Sequence, residues 1–88
     1  MAIRIICTGK VQGVFFRASA KSIADDLGIK GWVMNEADGS VLIHAEGTDE
    51  KREKMKAWCL KGSDYSKVKE IKVFESDEEG CSSFEIRF

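Results

Sequence analysis

The segment from Gly9 to Arg17, which reads GKVQGVFFR, contains residue types that bind an anion without a metal. Gly9 and Gly13 permit backbone angles that other residues avoid, so consecutive N–H groups can turn inward and form an anion nest. A helix beginning near Arg17 would add unpaired N–H groups and the positive end of its dipole. The Arg17 guanidinium can donate two hydrogen bonds to one phosphate. The segment therefore predicts a phosphate cradle, and the alternative is a glycine turn in which Arg17 merely pairs with a carboxylate.

Hydrophobic periodicity places this segment between a strand and a helix. Alternating apolar residues predict a first strand, Ile3 to Cys7, that ends at Gly9. From residue 17 to 27 the apolar positions follow the i, i+3, i+4, i+7 spacing of an amphipathic helix, which Gly28 is placed to end. The apolar face of that helix comprises Ala20, Ile23, Ala24 and Leu27, and Phe16 can extend it.

The rest of the chain predicts a hairpin, a second helix and two more strands. Residues 29–35 and 41–45 flank Asp38-Gly39, a strong hairpin signal. Thr48 is a plausible N-cap for a helix that ends at Gly62, with Met55, Trp58 and Cys59 on its buried face. Residues 68–74 read as a strand with an irregularity near Glu70, and Phe84, Ile86 and Phe88 share one face of a short last strand.

The order of these elements is β-α-β-β-α-β followed by a short terminal strand. It predicts an α+β, ferredoxin-like fold in which one antiparallel sheet carries both helices on one face. At 88 residues the chain is expected to form a single domain over residues 1–88.

Composition argues against several functional classes. The chain has 14 Lys and Arg against 15 Asp and Glu, a net charge of −1 at pH 7, and no basic stripe, so nucleic-acid binding is not expected. No apolar run approaches the ~18 residues of a membrane span, and the N-terminus lacks a signal-peptide core. We therefore expect a cytoplasmic protein without a membrane or nucleic-acid partner, and a monomer.

The cysteines and the single histidine are interpreted as structural. Cys7, Cys59 and Cys81 are odd in number and widely spaced, which fits reduced thiols better than a disulfide framework or a metal pair. His44 is expected on a solvated strand face. With one histidine and no carboxylates at ligand spacing, no metal or cofactor is expected.

Two motifs resemble those of the acylphosphatases, small enzymes that hydrolyse carboxyl phosphates. Gly9 to Arg17 is similar to the family pattern Gly-x-Val-Gln-Gly-Val-x-Phe-Arg, and Gly31-Trp32-Val33-Met34-Asn35 followed by Asp38-Gly39-Ser40-Val41 is similar to its second signature. The last strand, Phe84 to Phe88, also resembles that of the family. The resemblance runs in order over nearly the whole chain, and the fold it implies is the one that the periodicity predicts.

The resemblance implies the site residues. Arg17 would bind the phosphate and Asn35 would be the catalytic asparagine. The backbone N–H groups of the loop would form the cradle, through Val11, Gln12, Gly13, Val14, Phe15 and Phe16. An acyl phosphate has a good carboxylate leaving group, so positioning a water and stabilising phosphoryl charge would suffice.

Two departures from the family pattern are visible. The 62–66 region lacks a proline that is common there, and Phe88 stands where many relatives have tyrosine; neither is expected to affect Arg17 or Asn35. The rival function is a non-catalytic phosphate-binding or anion-binding regulatory module, which needs Arg17 but not Asn35. A phosphomonoesterase is disfavoured because its alkoxide leaving group needs a general acid to protonate it, and the loop does not supply one. No dedicated acyl pocket is evident, so broad acyl selectivity is expected.

Overall fold

The computed structural model describes all residues from 1 to 88. Its seven elements follow the predicted order. They are β1 (Ala2–Lys10), α1 (Phe16–Leu27), β2 (Lys30–Asn35), β3 (Val41–Glu46), α2 (Asp49–Lys61), β4 (Lys67–Ser76) and β5 (Phe84–Arg87). The ferredoxin-like arrangement predicted from the sequence is confirmed, and neither helix is long and apolar enough to cross a bilayer.

The sheet has the strand order β4-β1-β3-β2-β5 and differs from the prediction in one respect. Three strand pairs are antiparallel, but β5 runs parallel to β2, so the sheet is mixed rather than wholly antiparallel. The cause is the loop of residues 77–83, here called the crossing loop, which connects opposite edges of the sheet. Those edges lie ~19 Å apart at ~4.8 Å per strand, a distance that seven extended residues can span directly. Because the crossing loop stays at one end of the sheet, β5 runs back beside β2.

The core lies between the sheet and the two helices. Alternate residues of β1 and β3, among them Ile5 and Ile43, point to the same side as the buried residues of both helices. From α1 these are Phe16, Ala20 and Ala24, and from α2 they are Met55 and Cys59. The predicted apolar faces of both helices are therefore confirmed, although Ile23, Leu27 and Trp58 are only partly buried.

Several local predictions match the structure in detail. Gly28 ends α1 in the left-handed conformation, with φ 74°, and its N–H bonds to carbonyls of the last turn. The Thr48 hydroxyl caps α2 by accepting from the Lys51 N–H. The irregularity expected near Glu70 is a β-bulge, because the register between β1 and β4 shifts between Thr8, opposite Glu70, and the next residue.

His44 lies on the sheet face opposite the helices, and the expectation that this position is solvated is wrong. The side chain is 0% exposed because the crossing loop covers it, and the Trp32 ring stacks on it at 5.4 Å. The Arg4 Nε donates to the His44 Nδ1 at 3.2 Å, so the neutral ring carries its proton on Nε2 and donates it to Glu46 at 2.7 Å.

The Glu46 carboxylate fastens the crossing loop to the sheet. It accepts hydrogen bonds from the Glu79 N–H at 2.6 Å and the Cys81 N–H at 3.0 Å. His44, Glu79 and Cys81 also bring three potential metal ligands within 4.8 Å of one another, a proximity that their spacing in the sequence does not reveal. Both ring nitrogens of His44 are already hydrogen-bonded. We therefore interpret His44, Glu46, Glu79 and Cys81 as a hydrogen-bonded latch, a group of contacts that holds the crossing loop on the sheet.

We expect Glu46→Gln to destabilise the fold, with an effect that shrinks in acid. Burial alone would raise the Glu46 pKa, but hydrogen bonds from the Glu79 N–H, His44 and the Cys81 N–H lower it to about 2. Because this folded value lies below the ordinary 4.5, the carboxylate stabilises the fold above pH 4.5, and the contribution is lost as pH falls toward 2. Denaturant unfolding at pH 7 should show a loss of about 1–3 kcal/mol relative to wild type.

The control is Glu85→Gln, which removes an exposed carboxylate from β5, two strands away from Glu46. It should leave the free energy of unfolding nearly unchanged at every pH. A Glu46→Gln penalty as large at pH 2.5 as at pH 7 would contradict the latch.

Candidate active site

A cleft of about 340 Å³ opens at the N-terminal end of α1, beside the ends of β2 and β5. Its lining residues are Val11, Gly13, Phe15, Phe16, Arg17, Ala18, Asn35, Ile86 and Phe88. The structure thus brings Arg17 and Asn35 to one cleft, together with most of the cradle loop, residues 11–16. Gln12 and Val14 also belong to this loop but do not line the cleft.

The backbone of the cradle loop has unused donors. None of the N–H groups from Val11 to Ala18 donates to an acceptor within the protein. Gly13 and Phe15 are left-handed, with φ of 72° and 61°, and flank Val14, whose φ is negative. This alternation is the backbone pattern of an anion nest, and it continues into the unpaired first turn of α1.

Two side chains that sequence reasoning missed hold the cradle loop in place. The Gln12 Nε2 donates to the Glu36 carbonyl at 2.8 Å and to the Ser40 carbonyl at 2.9 Å, and so ties the loop to the hairpin that follows Asn35. The Ser63 hydroxyl donates to the Val14 carbonyl at 3.0 Å in a buried position. The loop is therefore fixed from both sides, which limits the reorganisation needed when an anion binds.

We expect Gln12→Met to weaken the binding of inorganic phosphate while preserving the fold. The methionine fills similar space, but it removes two hydrogen bonds and releases the loop from the hairpin. The Glu36 and Ser40 carbonyls each keep a backbone donor, the Gly39 N–H and the Glu36 N–H. Calorimetric titration should show a phosphate Kd raised about tenfold, and denaturant unfolding a loss of about 1–3 kcal/mol. A variant that loses stability but keeps the wild-type phosphate Kd would show that Gln12 does not position the cradle.

Arg17 has no carboxylate partner in the structure. The alternative in which Arg17 pairs with a carboxylate is therefore wrong. Its Nη1 donates to the Arg87 carbonyl at 3.1 Å, and its Cζ lies 4.7 Å from the centre of the Phe88 ring. The expectation that Phe88 does not affect Arg17 is therefore wrong, because the last residue packs directly against the guanidinium. The carbonyl and the ring hold the arginine while leaving its charge free to bind an anion.

Asn35 ends β2, opposite Val41 in the hairpin register. Its Oδ1 is buried and accepts no hydrogen bond. A buried acceptor without a donor costs roughly 1–3 kcal/mol, and natural proteins tolerate few of them. The cleft therefore combines a row of unpaired donors, an unpaired cation and an unpaired acceptor.

Comparison with known proteins identifies the family to which the chain belongs. The acylphosphatase family model matches residues 3–86. The chain belongs to the acylphosphatase family. An acylphosphatase from Synechococcus is 45% identical over 85 residues, which cover 97% of this chain and 73% of that protein. One from Haloarcula marismortui is 39% identical over 84 residues, covering 96% and 92%.

The solved structures agree on the fold of the acylphosphatase chain. The crystal structure of an acylphosphatase from Bacillus subtilis matches with a TM-score of 0.95 and 41% identity, over 99% of this chain and 98% of that one. The prediction of a ferredoxin-like acylphosphatase, and with it a hydrolase, is confirmed. The roles of Arg17, Asn35 and the cradle loop stay predictions.

Proposed function

We propose that the chain hydrolyses acyl phosphates to a carboxylate and inorganic phosphate in the cleft described above. One observation carries the assignment to this cleft. Unused donors lie at the cleft that Asn35 also lines, and the Asn35 Oδ1 is an unused acceptor. These donors are the backbone N–H groups from Val11 to Ala18 and the guanidinium N–H groups of Arg17 that do not bind the Arg87 carbonyl. The oxygens of a phosphoryl group can accept hydrogen bonds from these donors, and a water can donate one to the Asn35 Oδ1. The two reactants of a hydrolysis together would satisfy all of these groups.

The mechanism needs no strong acid or base from the protein. The cradle N–H groups and Arg17 bind the non-bridging phosphoryl oxygens, whose charge they stabilise in the transition state. Asn35 accepts a hydrogen bond from the water and directs its oxygen at phosphorus. The bond from phosphorus to the bridging oxygen breaks, and the carboxylate leaves with the electron pair. Because an amide cannot hold the water's proton at neutral pH, a phosphoryl oxygen takes it.

Asn35 distinguishes this function from a non-catalytic anion-binding module. Such a module would use the cradle and Arg17, but it has no need of a buried acceptor beside the anion. The unpaired Asn35 Oδ1 therefore favours the enzyme.

Hydrolysis of benzoyl phosphate in the presence of a chelator tests the proposal. We expect turnover well above the spontaneous rate, and no hydrolysis of p-nitrophenyl phosphate, whose phosphomonoester bond lacks an activated carboxylate leaving group. A rate equal to background for benzoyl phosphate, with inorganic phosphate still bound, would identify the chain as a binding module instead.

We also infer that the protein acts in the cytoplasm as a single-domain monomer. Arg17, Asn35 and the cradle loop come together within this one domain, and the buried thiols of Cys7 and Cys59 suit a reducing compartment. Light scattering over a hundredfold range of protein concentration should give a constant mass of 9.8 kDa.

A further inference from the structure

Phe15 carries an exposed aromatic side chain that the phosphate cradle does not use. It precedes α1 with φ 61° and ψ 22°, a left-handed conformation that is rare for a bulky aromatic residue, and 72% of it is exposed. The cradle uses only the backbone at this position, so glycine or asparagine would serve it at lower conformational cost. Residues with strained backbone conformations cluster at active sites and ligand-binding elements.

A second exposed aromatic side chain pairs with Phe15. Tyr65 is 71% exposed, and its ring centre lies 6.3 Å from that of Phe15, with the ring planes inclined at 58°. The two rings form a tilted aromatic pair, and most of each side chain is still exposed to solvent. Both come from segments that the protein holds in place, since Ser63 anchors the loop before Tyr65 to the cradle loop.

The groove beside these rings, here called the acyl groove, measures about 340 Å³. Five of its 11 lining residues are apolar. These are Val14, Phe15, Ile23, Trp58 and Tyr65, and the polar lining residues include Ser19, Lys61 and Asp64. Small-ligand sites combine apolar and aromatic surface with a few polar groups in this way.

Phe15 connects the acyl groove to the active-site cleft, because it lines both. The acyl groove and the cleft that would hold the phosphoryl group therefore meet at this residue. The part of the substrate that must extend out of the cradle is the acyl group. An aromatic or bulky aliphatic acyl group extending past Phe15 would bury apolar surface against both rings.

We propose that Phe15 and Tyr65 form an acyl-group subsite that makes the enzyme prefer acyl phosphates with aromatic or bulky apolar acyl groups. This inference rests on the proposed function. It replaces the sequence-based expectation of broad acyl selectivity with a specific preference. Acetyl phosphate, whose methyl group is too short to reach the acyl groove, should be hydrolysed without help from these rings.

The first test compares kcat/KM for benzoyl phosphate and acetyl phosphate in wild type and Tyr65→Ala. We expect Tyr65→Ala to lower the benzoyl value about tenfold, the effect of losing apolar contact in a specificity pocket, and to change the acetyl value by less than about twofold. Phe15→Asn, which tolerates the left-handed conformation, should also lower the ratio of the two values. The control is Leu60→Ala, which removes an exposed apolar side chain of α2 outside the groove and should leave the ratio unchanged.

A second measurement separates this inference from the proposed function. Binding of benzoylphosphonate, acetylphosphonate and inorganic phosphate is measured by calorimetry, since the phosphonates cannot be hydrolysed. Tyr65→Ala should raise the Kd of benzoylphosphonate alone. If wild type hydrolyses neither acyl phosphate, the proposed function is wrong and the phosphonates still decide the subsite. If Tyr65→Ala leaves benzoylphosphonate binding unchanged, or weakens all three ligands equally, the acyl subsite is overturned.

Discussion

Arg17→Ala is expected to lower kcat/KM for benzoyl phosphate about a thousandfold and to weaken phosphate binding, because it removes the cleft's arginine. The lost interaction involves the phosphoryl oxygens both in the bound substrate and in the transition state, so KM should rise and kcat should fall together. Stopped-flow hydrolysis of benzoyl phosphate gives both constants, and calorimetry gives the phosphate Kd. Arg17→Lys should recover only part of the loss, since an ammonium is a point charge and cannot donate two parallel bonds.

The matched control is Arg87→Gln, which removes the same charge from a side chain that lies over the Trp32 ring, on the other face of the sheet. Its backbone carbonyl, which Arg17 uses, is retained. We expect less than about a threefold change in kcat/KM at physiological ionic strength, because the Arg87 side chain lies over the opposite face of the sheet and solvent and salt weaken interactions of exposed charges. If both variants lose activity equally, net charge rather than the Arg17 contact explains the effect.

Sequence patterns predicted the elements because each is encoded locally. The apolar spacing of α1, the hairpin turn at Asp38-Gly39 and the Thr48 cap all depend on residues within a few positions of one another. The cradle loop belongs to this class only in part. Gly13 has the left-handed conformation that glycine permits, whereas the left-handed conformation of Phe15 was not predicted. Arg17 was predicted as a site residue from the same segment. Asn35 was predicted only from the family resemblance, because a single asparagine at a strand end has no distinctive local pattern.

What the sequence did not reveal depends on contacts between distant segments. His44 alternates with apolar neighbours as a solvated residue would, and only the crossing loop, more than thirty positions later, buries it. Gln12 and Ser63 are polar residues in loops, and their anchoring bonds join segments 24 to 49 residues apart. The contact of Phe88 with Arg17 requires β5 to run parallel to β2 and beside it. Local periodicity does not predict the order of strands across a sheet.

Asn35 separates binding from catalysis more sharply than Arg17 does. Asn35→Ala should lower kcat for benzoyl phosphate about a hundredfold, the order of effect of removing one positioned polar group from a transition state. The phosphate Kd should stay within about twofold of wild type, because the cradle and Arg17 are intact. Asn35→Asp should fare no better than alanine, since its carboxylate would repel the phosphoryl group that the cradle attracts.

Stability supplies the independent readout for Asn35. Its buried Oδ1 has no donor in the folded protein, so removing the amide relieves an unsatisfied acceptor rather than breaking a bond. Denaturant unfolding should therefore show Asn35→Ala to be at least as stable as wild type, the pattern of a residue retained for function at some cost to the fold. The control is Asn35→Ser, whose hydroxyl can accept a hydrogen bond but is too short to reach the same water. A wild-type kcat in Asn35→Ala would exclude the water-orienting role. A loss of stability in Asn35→Ala would instead show that Asn35 has a structural role in the hairpin.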